Sequence, residues 1–397
     1  MDFLIVGAGI VGMFTAYNIL EKYQNKKKII IIDKEKEVGI HASGKNSGVI
    51  HAGIYYTPDS LKAKFCIEGN KFLTDYCEKN GIPINKVGKL IVPTCVEELR
   101  KLHDLYDRAK RNGAQVELVS HKQAKEIEPK VRVFEQAIWS PKTSTIDPVK
   151  LIYKLYEQLM DRGVSFLFNC RILSLKPMEN MILLNTQGKD VVLIWNDKFI
   201  NCAGLYADMI ARKFGLAKNY IILPFRGMYY QINKKVLNTN VYPVPTSKYF
   251  LGVHWTVYDD KTKVGPNAFT AFWRENYQGL NNFSLSELIQ TVSLNIILLL
   301  KNKEYRINAL KELKKIRKKD FIEEAFKLVE MGSMLNIDDF IKAVPGIRAQ
   351  ILNLKNFELE EDFIVENTEN SVHILNIVSP GLTASYPLTK MIVEKFI

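Results

Sequence analysis

Hydrophobic positions fall along this chain in two rhythms, short continuous or alternating runs and longer runs at helical spacing. Phe3-Leu4-Ile5-Val6 reads as a short buried strand that runs straight into Gly7, Gly9 and Gly12 at the head of a helix, and a second apolar run, Ile29 to Ile32, ends on Asp33. Asp33 to Ser47 reads as a loop. Ser60 caps a helix that continues to about Asn80 and stops before Gly81. Lys86 to Pro93 alternates like a strand, Val96 to Asn112 has helical spacing, and Ser120 starts a shorter helix that ends at Pro129. A further helix begins at Asp147-Pro148 and ends near Arg162-Gly163. Strands follow at Val164 to Phe168, Ile172 to Leu175, Met181 to Thr186, Val191 to Ile194 and Lys198 to Asn201, and Cys202 to Ala211 turns into a helix. Tyr220 to Gly265, Tyr- and Val-rich and broken by Gly, Pro and Asn, predicts an antiparallel sheet, and Ser284 to Ala343 a lysine-rich helical stretch. Ser371 to Ile397 closes the chain with a strand, a Ser379-Pro380-Gly381-Leu382-Thr383 turn and a helix.

This order predicts an α/β fold. A discontinuous nucleotide domain spans 1–80 with 140–215 and 345–397; a mixed antiparallel-sheet domain spans 81–139 with 216–344 and carries a helical basic insert at about 284–343. In the first strand–helix unit, Gly7 permits the tight turn, Gly9 lets a pyrophosphate approach the backbone, and Gly12 lets the helix pack close on the strand. Asp33, at the end of the second strand, is an acceptor-only group suited to ribose hydroxyls and hostile to a 2′-phosphate. The pairing points to a dinucleotide cofactor; a ligand-free Gly-rich turn, with Asp33 as a cap, is the plainer alternative.

Composition narrows the picture. The chain has 397 residues, 47% hydrophobic and 25% charged, which is ordinary for a globular protein with two cores. Cys66, Cys77, Cys95, Cys170 and Cys202 show no CxxC pairing and no even framework, so reduced core thiols are expected and no metal. The opening residues already belong to a strand, without a basic leader, and no apolar run reaches membrane-spanning length; the expected location is the cytoplasm. The net charge of +12 comes from scattered lysines without interleaved aromatics, which argues against nucleic acid and suits anionic lipid or an acidic substrate, or reflects only a lysine-rich genome composition.

The segment from His41 through Ser43-Gly44-Lys45-Asn46-Ser47-Gly48-Val49-Ile50-His51-Ala52-Gly53-Ile54 to Tyr55-Tyr56 has the small residues of a chain lying against a large flat ring. Together with the Gly motif, the Asn201-Cys202-Ala203-Gly204 turn and the Ser379 to Thr383 turn, it resembles the FAD-dependent oxidoreductases of the D-amino-acid oxidase and glycine oxidase superfamily. Within that superfamily the chain looks most like the L-2-hydroxyglutarate oxidases and dehydrogenases, through 43–56, Pro224 to Gly227, Tyr242 to Pro245, Phe250 to His254, Val264 to Ala268 and Gly346 to Gln350. Trp255, Trp273 and the stretch from Leu294 to Lys319 depart from that pattern. The resemblance implies bound FAD, oxidation of the C2 hydroxyl of L-2-hydroxyglutarate or a similar small L-2-hydroxy acid, and electron delivery to a quinone or dioxygen. The alternatives are an amino-acid or glycerol-3-phosphate oxidase of the same fold, or a non-catalytic FAD-binding subunit. The FAD contacts it implies are Gly7, Gly9, Ile10, Val11, Gly12, Asp33, Lys34, Ser43, Gly44, Asn46, Ser47, Gly48, Val49, Ile172, Ala203, Gly204, Gly381, Leu382 and Thr383, the last three placing backbone N–H groups at the head of the final helix against the flavin.

Oxidising a hydroxy acid needs a base for the hydroxyl proton and cations for the carboxylates. His51 is the first candidate base and His254 the second, each with a structural histidine as the alternative. His41 would orient the flavin loop, His103 and His121 sit on surface helices, and His373 lies in a buried strand. Arg348 and Arg226, ahead of Arg274, are the carboxylate candidates, because a guanidinium fork pairs bidentately and keeps its charge; a structural ion pair is the alternative. Tyr55, Tyr229 and Tyr249 offer hydroxyl donors or aromatic packing. In the insert, Ser284 and Glu287 form a capping box before an apolar helix, and Lys311 to Lys319 holds six basic residues in nine. That pair of features suits a peripheral seat on the inner face of an anionic membrane, or equally a solvated helical cover.

Overall fold

The computed structural model describes residues 1–245 and 252–397. Its contacts divide them into two compact units, 1–46 with 148–224 and 348–397, and 47–147 with 225–347. Each unit is built from separated pieces of chain; the stretch 47–80, expected with the nucleotide domain, falls in the second unit.

The first unit is organised by a six-stranded sheet. Strand Phe3–Val6 lies between Ile29–Ile32 and Lys198–Asn201, parallel to both, and the sheet continues through Ser165–Leu167 on one side and through Ser371–Ile374 and Val365–Asn367 on the other. A parallel sheet covered on its faces tolerates continuous apolar strands, and all four residues of Phe3–Val6 are buried. Helix Ile10–Lys22 packs along the C-terminal helix Gly381–Phe396: Asn18 Nδ2 donates to Thr389 Oγ1 at 2.9 Å, and the rings of Phe14 and Tyr386 meet edge-on at 5.7 Å. Strands Cys170–Lys176, Met181–Thr186 and Lys189–Ile194 form an antiparallel sheet whose inner face meets Leu4, Val6, Ile32, Trp195 and Phe199.

The second unit carries an eight-stranded mixed sheet with Lys89–Val92 near its middle, parallel to Asn240–Pro243 and antiparallel to Gln136–Ser140. The pleat sends Leu90 and Val92 into one core with Val241, Trp255, Phe321 and Phe340, while Ile91 faces the other with Ile54, Leu102, Leu105 and Tyr242. Ser60 caps helix Leu61–Lys79 by accepting from Ala63 N–H at 3.1 Å, and Ser120 with Gln123 forms a capping box, as their positions predict.

Several expectations need correction. The stretch 284–343 is not helical throughout: helices Leu285–Lys301, Lys303–Leu313 and Lys318–Phe326 give way to two short 3-10 turns and strand Ile341–Lys342. The Ser284–Glu287 box is half formed. Ser284 accepts the Glu287 N–H, but the Glu287 carboxylate turns to the Arg274 N–H at 2.9 Å. Strands Glu117–Ser120, Gln136–Ser140 and Ser144–Ile146 carry no local alternation to mark them; the first two are created by pairing alongside Lys89–Val92, and the third lies between Val49–Ile50 and Ile84–Asn85 in a separate three-stranded sheet. Trp255 is a structural departure from the family pattern, its indole donating to the Ala325 carbonyl at 2.9 Å and tying the sheet to helix Lys318–Phe326. Trp273 likewise donates to the Asn281 carbonyl at 2.9 Å.

Candidate functional site

In the first unit the glycines make a cradle that side chains would fill. Gly7 has φ +109°, and a Cβ there would lie 2.3 Å from the Cys202 carbonyl oxygen; at Gly12 it would lie 2.0 Å from the Gly7 oxygen. At Gly9 it would meet only Ser43 Oγ, at 2.8 Å. Ile10 N–H donates to Ser43 Oγ at 3.0 Å, which draws Ser43 to the helix start. The N–H groups of Val11 and Gly12, in the first turn, have no intrahelical acceptor, and no acidic residue occupies that turn. This is the donor set an anionic pyrophosphate requires.

Asp33 does more than the sequence suggests. Its Oδ2 accepts the Ala8 N–H at 2.7 Å and its Oδ1 the Glu35 N–H at 2.9 Å, so it pins the glycine turn to the second strand and keeps further lone pairs on both oxygens for hydroxyl donors. The Lys34 ammonium pairs with Glu35, which also sits 2.8 Å from His41 Nε2. The His41 hydrogen bond, with Lys34, holds the Glu35 carboxyl down at about 2. Gly44 packs so closely on Gly39 that a Cβ would lie 2.1 Å from its carbonyl oxygen, and Asn46 Nδ2 donates to the Ala42 carbonyl at 3.1 Å.

Cys202 and Ala203 sit against Gly7 after strand Lys198–Asn201, and Gly204, with φ +53°, follows them. Beneath them lies a network that sequence reading missed. Buried Asn201 Nδ2 donates to the Ala207 carbonyl at 2.8 Å and to His373 Nδ1 at 3.0 Å, leaving His373 Nε2–H to donate to Ser371 Oγ at 2.9 Å. Burial pushes that histidine down to about 3, so it is a neutral structural residue. Ile172 lies at a strand irregularity and packs on the Leu4–Trp195 core. Gly381, Leu382 and Thr383 form the first turn of the last helix rather than preceding it, with Thr383 fully buried.

Ser47, Gly48 and Val49 belong to the second unit, where the Tyr258 hydroxyl donates to the Ser47 carbonyl, Gly48 O accepts the Ile146 N–H at 2.9 Å, and Val49 pairs with Thr145. The chain from His51 to Tyr56 is held by side chains that satisfy its carbonyls. Asn70 Nδ2 donates to His51 O at 3.0 Å, Asn112 Nδ2 to Gly53 O and Tyr56 O at 2.9 Å each, and Arg108 Nη1 to Tyr55 O at 3.3 Å. Gly53, at φ +79°, packs where a Cβ would lie 2.5 Å from Ile67 Cδ1.

The second unit gathers buried His51, Cys66, Lys89, Tyr242 and His254 in one cluster with the partly buried Tyr55. Burial foremost, then the Lys89 charge and His254, hold the His51 imidazole down at about 3, which keeps it in its proton-accepting form. His254 Nδ1 lies 2.9 Å from the Gly252 carbonyl, which only accepts, so Nδ1 carries the hydrogen and Nε2 the lone pair. Its ring stacks on Tyr242 at 3.8 Å. Tyr55 has its hydroxyl buried without a partner among the described residues. Arg226 contacts Asn276 O at 3.3 Å and Asn276 Oδ1 at 3.5 Å through Nη1 alone; its Nε is buried with no acceptor among the described residues. A carboxylate would satisfy that fork. Arg274 is committed elsewhere, its Nε 4.0 Å from Glu287. Tyr229 gives its backbone carbonyl to Ala343 N–H at 2.9 Å, and Tyr249 lies outside the described residues. Arg348 stands half-buried on strand Gly346–Asn353 in the first unit. Lys89 was missed: a lone charge opening an apolar strand next to Gly88 is its only mark in the sequence.

Comparison with known proteins agrees with this architecture. The L-2-hydroxyglutarate dehydrogenase of Escherichia coli (strain K12) is 32% identical over 401 residues, covering 99% of this chain and 92% of that enzyme. The mitochondrial L-2-hydroxyglutarate dehydrogenase of Caenorhabditis elegans is 34% identical over 416 residues, covering 100% of this chain and 93% of its own length. Among solved structures, the FAD-bound L-alpha-glycerophosphate oxidase of Mycoplasma pneumoniae superposes with a TM-score of 0.76 at 24% identity, over 99% of this chain and 94% of that one, a likeness of fold. The FAD dependent oxidoreductase profile matches residues 2–395. The glycine cradle, the uncapped helix start and Asp33 fit the cofactor that this family carries, and the chain belongs to the FAD-dependent oxidoreductases.

Proposed function

We propose that this enzyme oxidises the C2 hydroxyl of L-2-hydroxyglutarate to the 2-oxo acid and passes the electrons to a quinone or dioxygen. The full-length likeness to L-2-hydroxyglutarate dehydrogenases carries the reading. The first unit is assigned the cofactor through Gly7, Gly9, Gly12, Asp33 and Ser43, and the second the substrate. Bound FAD supplies a two-electron acceptor. The His51 imidazole, held neutral, accepts the hydroxyl proton as the C2–H bond breaks, and His254 Nε2 is the second acceptor in the cluster. The Arg226 fork binds a substrate carboxylate. The test is product analysis with L- and D-2-hydroxyglutarate, glycine, proline and glycerol-3-phosphate in parallel. 2-Oxoglutarate from the L-acid alone supports the reading; turnover of another substrate without it defeats it.

A membrane-facing role for the insert is supported by a stripe of exposed apolar residues. Leu285, Ile289, Val292, Ile296 and Leu300 lie on one face of helix Leu285–Lys301 and are all exposed, and Ile307 and Leu310 add to it from the next helix. Lys311, Lys314 and Lys318 carry no ion pair among the described residues, whereas Lys315, Arg317 and Lys319 pair with Glu312, Asp320 and Glu323. Among the described residues no helix is long and apolar enough to cross a membrane, so the contact proposed is peripheral, an apolar face sunk into anionic lipid beside free lysines. Co-sedimentation with anionic vesicles that survives Ile289→Ser/Ile296→Ser substitution would contradict it.

A further inference from the structure

Lys89 is wholly buried, and its Nζ has neither a hydrogen bond nor an ion pair among the described residues. Nζ lies instead 4.5 Å from the centroid of the Tyr55 ring and 4.9 Å from that of Tyr242. Tyr242 in turn stacks on His254, with centroids 3.8 Å apart and planes 18° apart. Desolvating an ammonium without a counter-ion costs more than two cation–π contacts return, and a methionine would fill the same space without that cost. A group held at a cost to stability, in contact with both candidate bases' surroundings, calls for a functional explanation.

We propose that Lys89 is a positioning residue of the oxidation site: braced on the Tyr55 and Tyr242 rings, its side chain fixes the Tyr242–His254 stack in the cluster that holds His51. After burial, the Lys89 charge is the next influence that favours the neutral His51 imidazole. The proposal rests on the assignment of His51 as base. The titratable and charged neighbours are Cys66 on helix Leu61–Lys79, Tyr55 on the His51 loop, Arg108 at the Tyr55 carbonyl, Tyr229 beside Tyr242, Tyr242 and His254 on the sheet, and Lys89 itself. Burial pushes the Cys66 thiol up to about 12 and raises the Tyr55 and Tyr242 phenols well above their ordinary value, so these stay uncharged and Lys89 is the charge that substitution can remove. Burial brings Lys89 down to about 7, against the opposing effect of Cys66.

The experiment is an NMR titration of the His51 Cε1–H resonance in the FAD-loaded protein, assigned by its absence in His51→Gln, for wild type, Lys89→Met and Lys89→Arg. Wild-type His51 is expected to titrate at about 3, and Lys89→Met to raise that midpoint by about one pH unit, tenfold in proton affinity, with the titration followed to below pH 3. Lys89→Arg, permanently charged, should titrate like wild type. The acid limb of kcat/KM should follow the same order. A Lys89→Met titration superimposable on wild type overturns the proposal, and because methionine is a buried isostere this comparison stands even if the arginine variant does not fold. Absence of wild-type turnover on L-2-hydroxyglutarate would instead remove the substrate assignment and leave the titration result intact.

Discussion

His51 and Arg226 carry the chemistry proposed here in different ways, and single substitutions separate them. His51→Gln removes the proton acceptor and should lower kcat/KM by about 10²–10⁴-fold while FAD content, read from absorbance, stays at the wild-type level. Arg226→Lys keeps a charge but loses the fork. It should raise KM about tenfold or more, the loss of a charge-assisted hydrogen bond worth ~1.5–3 kcal/mol, with a smaller change in kcat. At this scale the sequence was most legible where chemistry is rare: with six histidines, the loop residue His51 stood out. Lys89 did not, because lysines are common and usually solvated, and only the fold shows that this one is buried under two tyrosines. The Asn201–His373–Ser371 network was equally hidden, since its members are far apart in sequence.

Among elements, local signals were read best where a cap or a glycine decides the backbone. Ser60 and Ser120 begin their helices, and the Gly7–Gly12 turn has the geometry its spacing implies. Glu287 shows how a local signal fails: the buried Arg274 competes for its carboxylate and takes it from the cap. The His51 loop depends on non-local donors, and Asn70→Ala would leave the His51 and Lys142 carbonyls without their amide donor. A loss of ~1–3 kcal/mol is expected, measured as a lower denaturation midpoint, together with weaker turnover. In the glycine turn, Gly12→Val would drive a side chain into the Gly7 carbonyl and should abolish FAD retention, seen as a colourless purified protein.

The whole molecule combines pieces that are distant in sequence: the closing strand and helix return to the unit that begins the chain, while 47–80 joins the other unit with no composition shift to mark the change. Its buried basic groups also set its pH response. His51 and His373 are both held at about 3, below the ~6.5 of an unfolded histidine, so the unfolded chain binds more protons between those values. Stability therefore falls as pH drops from ~6.5 towards 3, by up to ~1.4 kcal/mol per pH unit for each group. The Tm of the FAD-loaded protein should be lower at pH 5.5 than at pH 7.5, and a flat profile would contradict these environments. Lys89, brought down to about 7 from its ordinary 10.5, adds a slope of the same sign between those values that Lys89→Met should remove.

The most direct test of the account is an anaerobic absorbance scan of the purified protein before and after L-2-hydroxyglutarate, with the D-enantiomer as a parallel addition. Bleaching of the flavin band by the L-acid alone is the predicted result; a flavin that stays oxidised with the L-acid, or a protein without a flavin band, would contradict it.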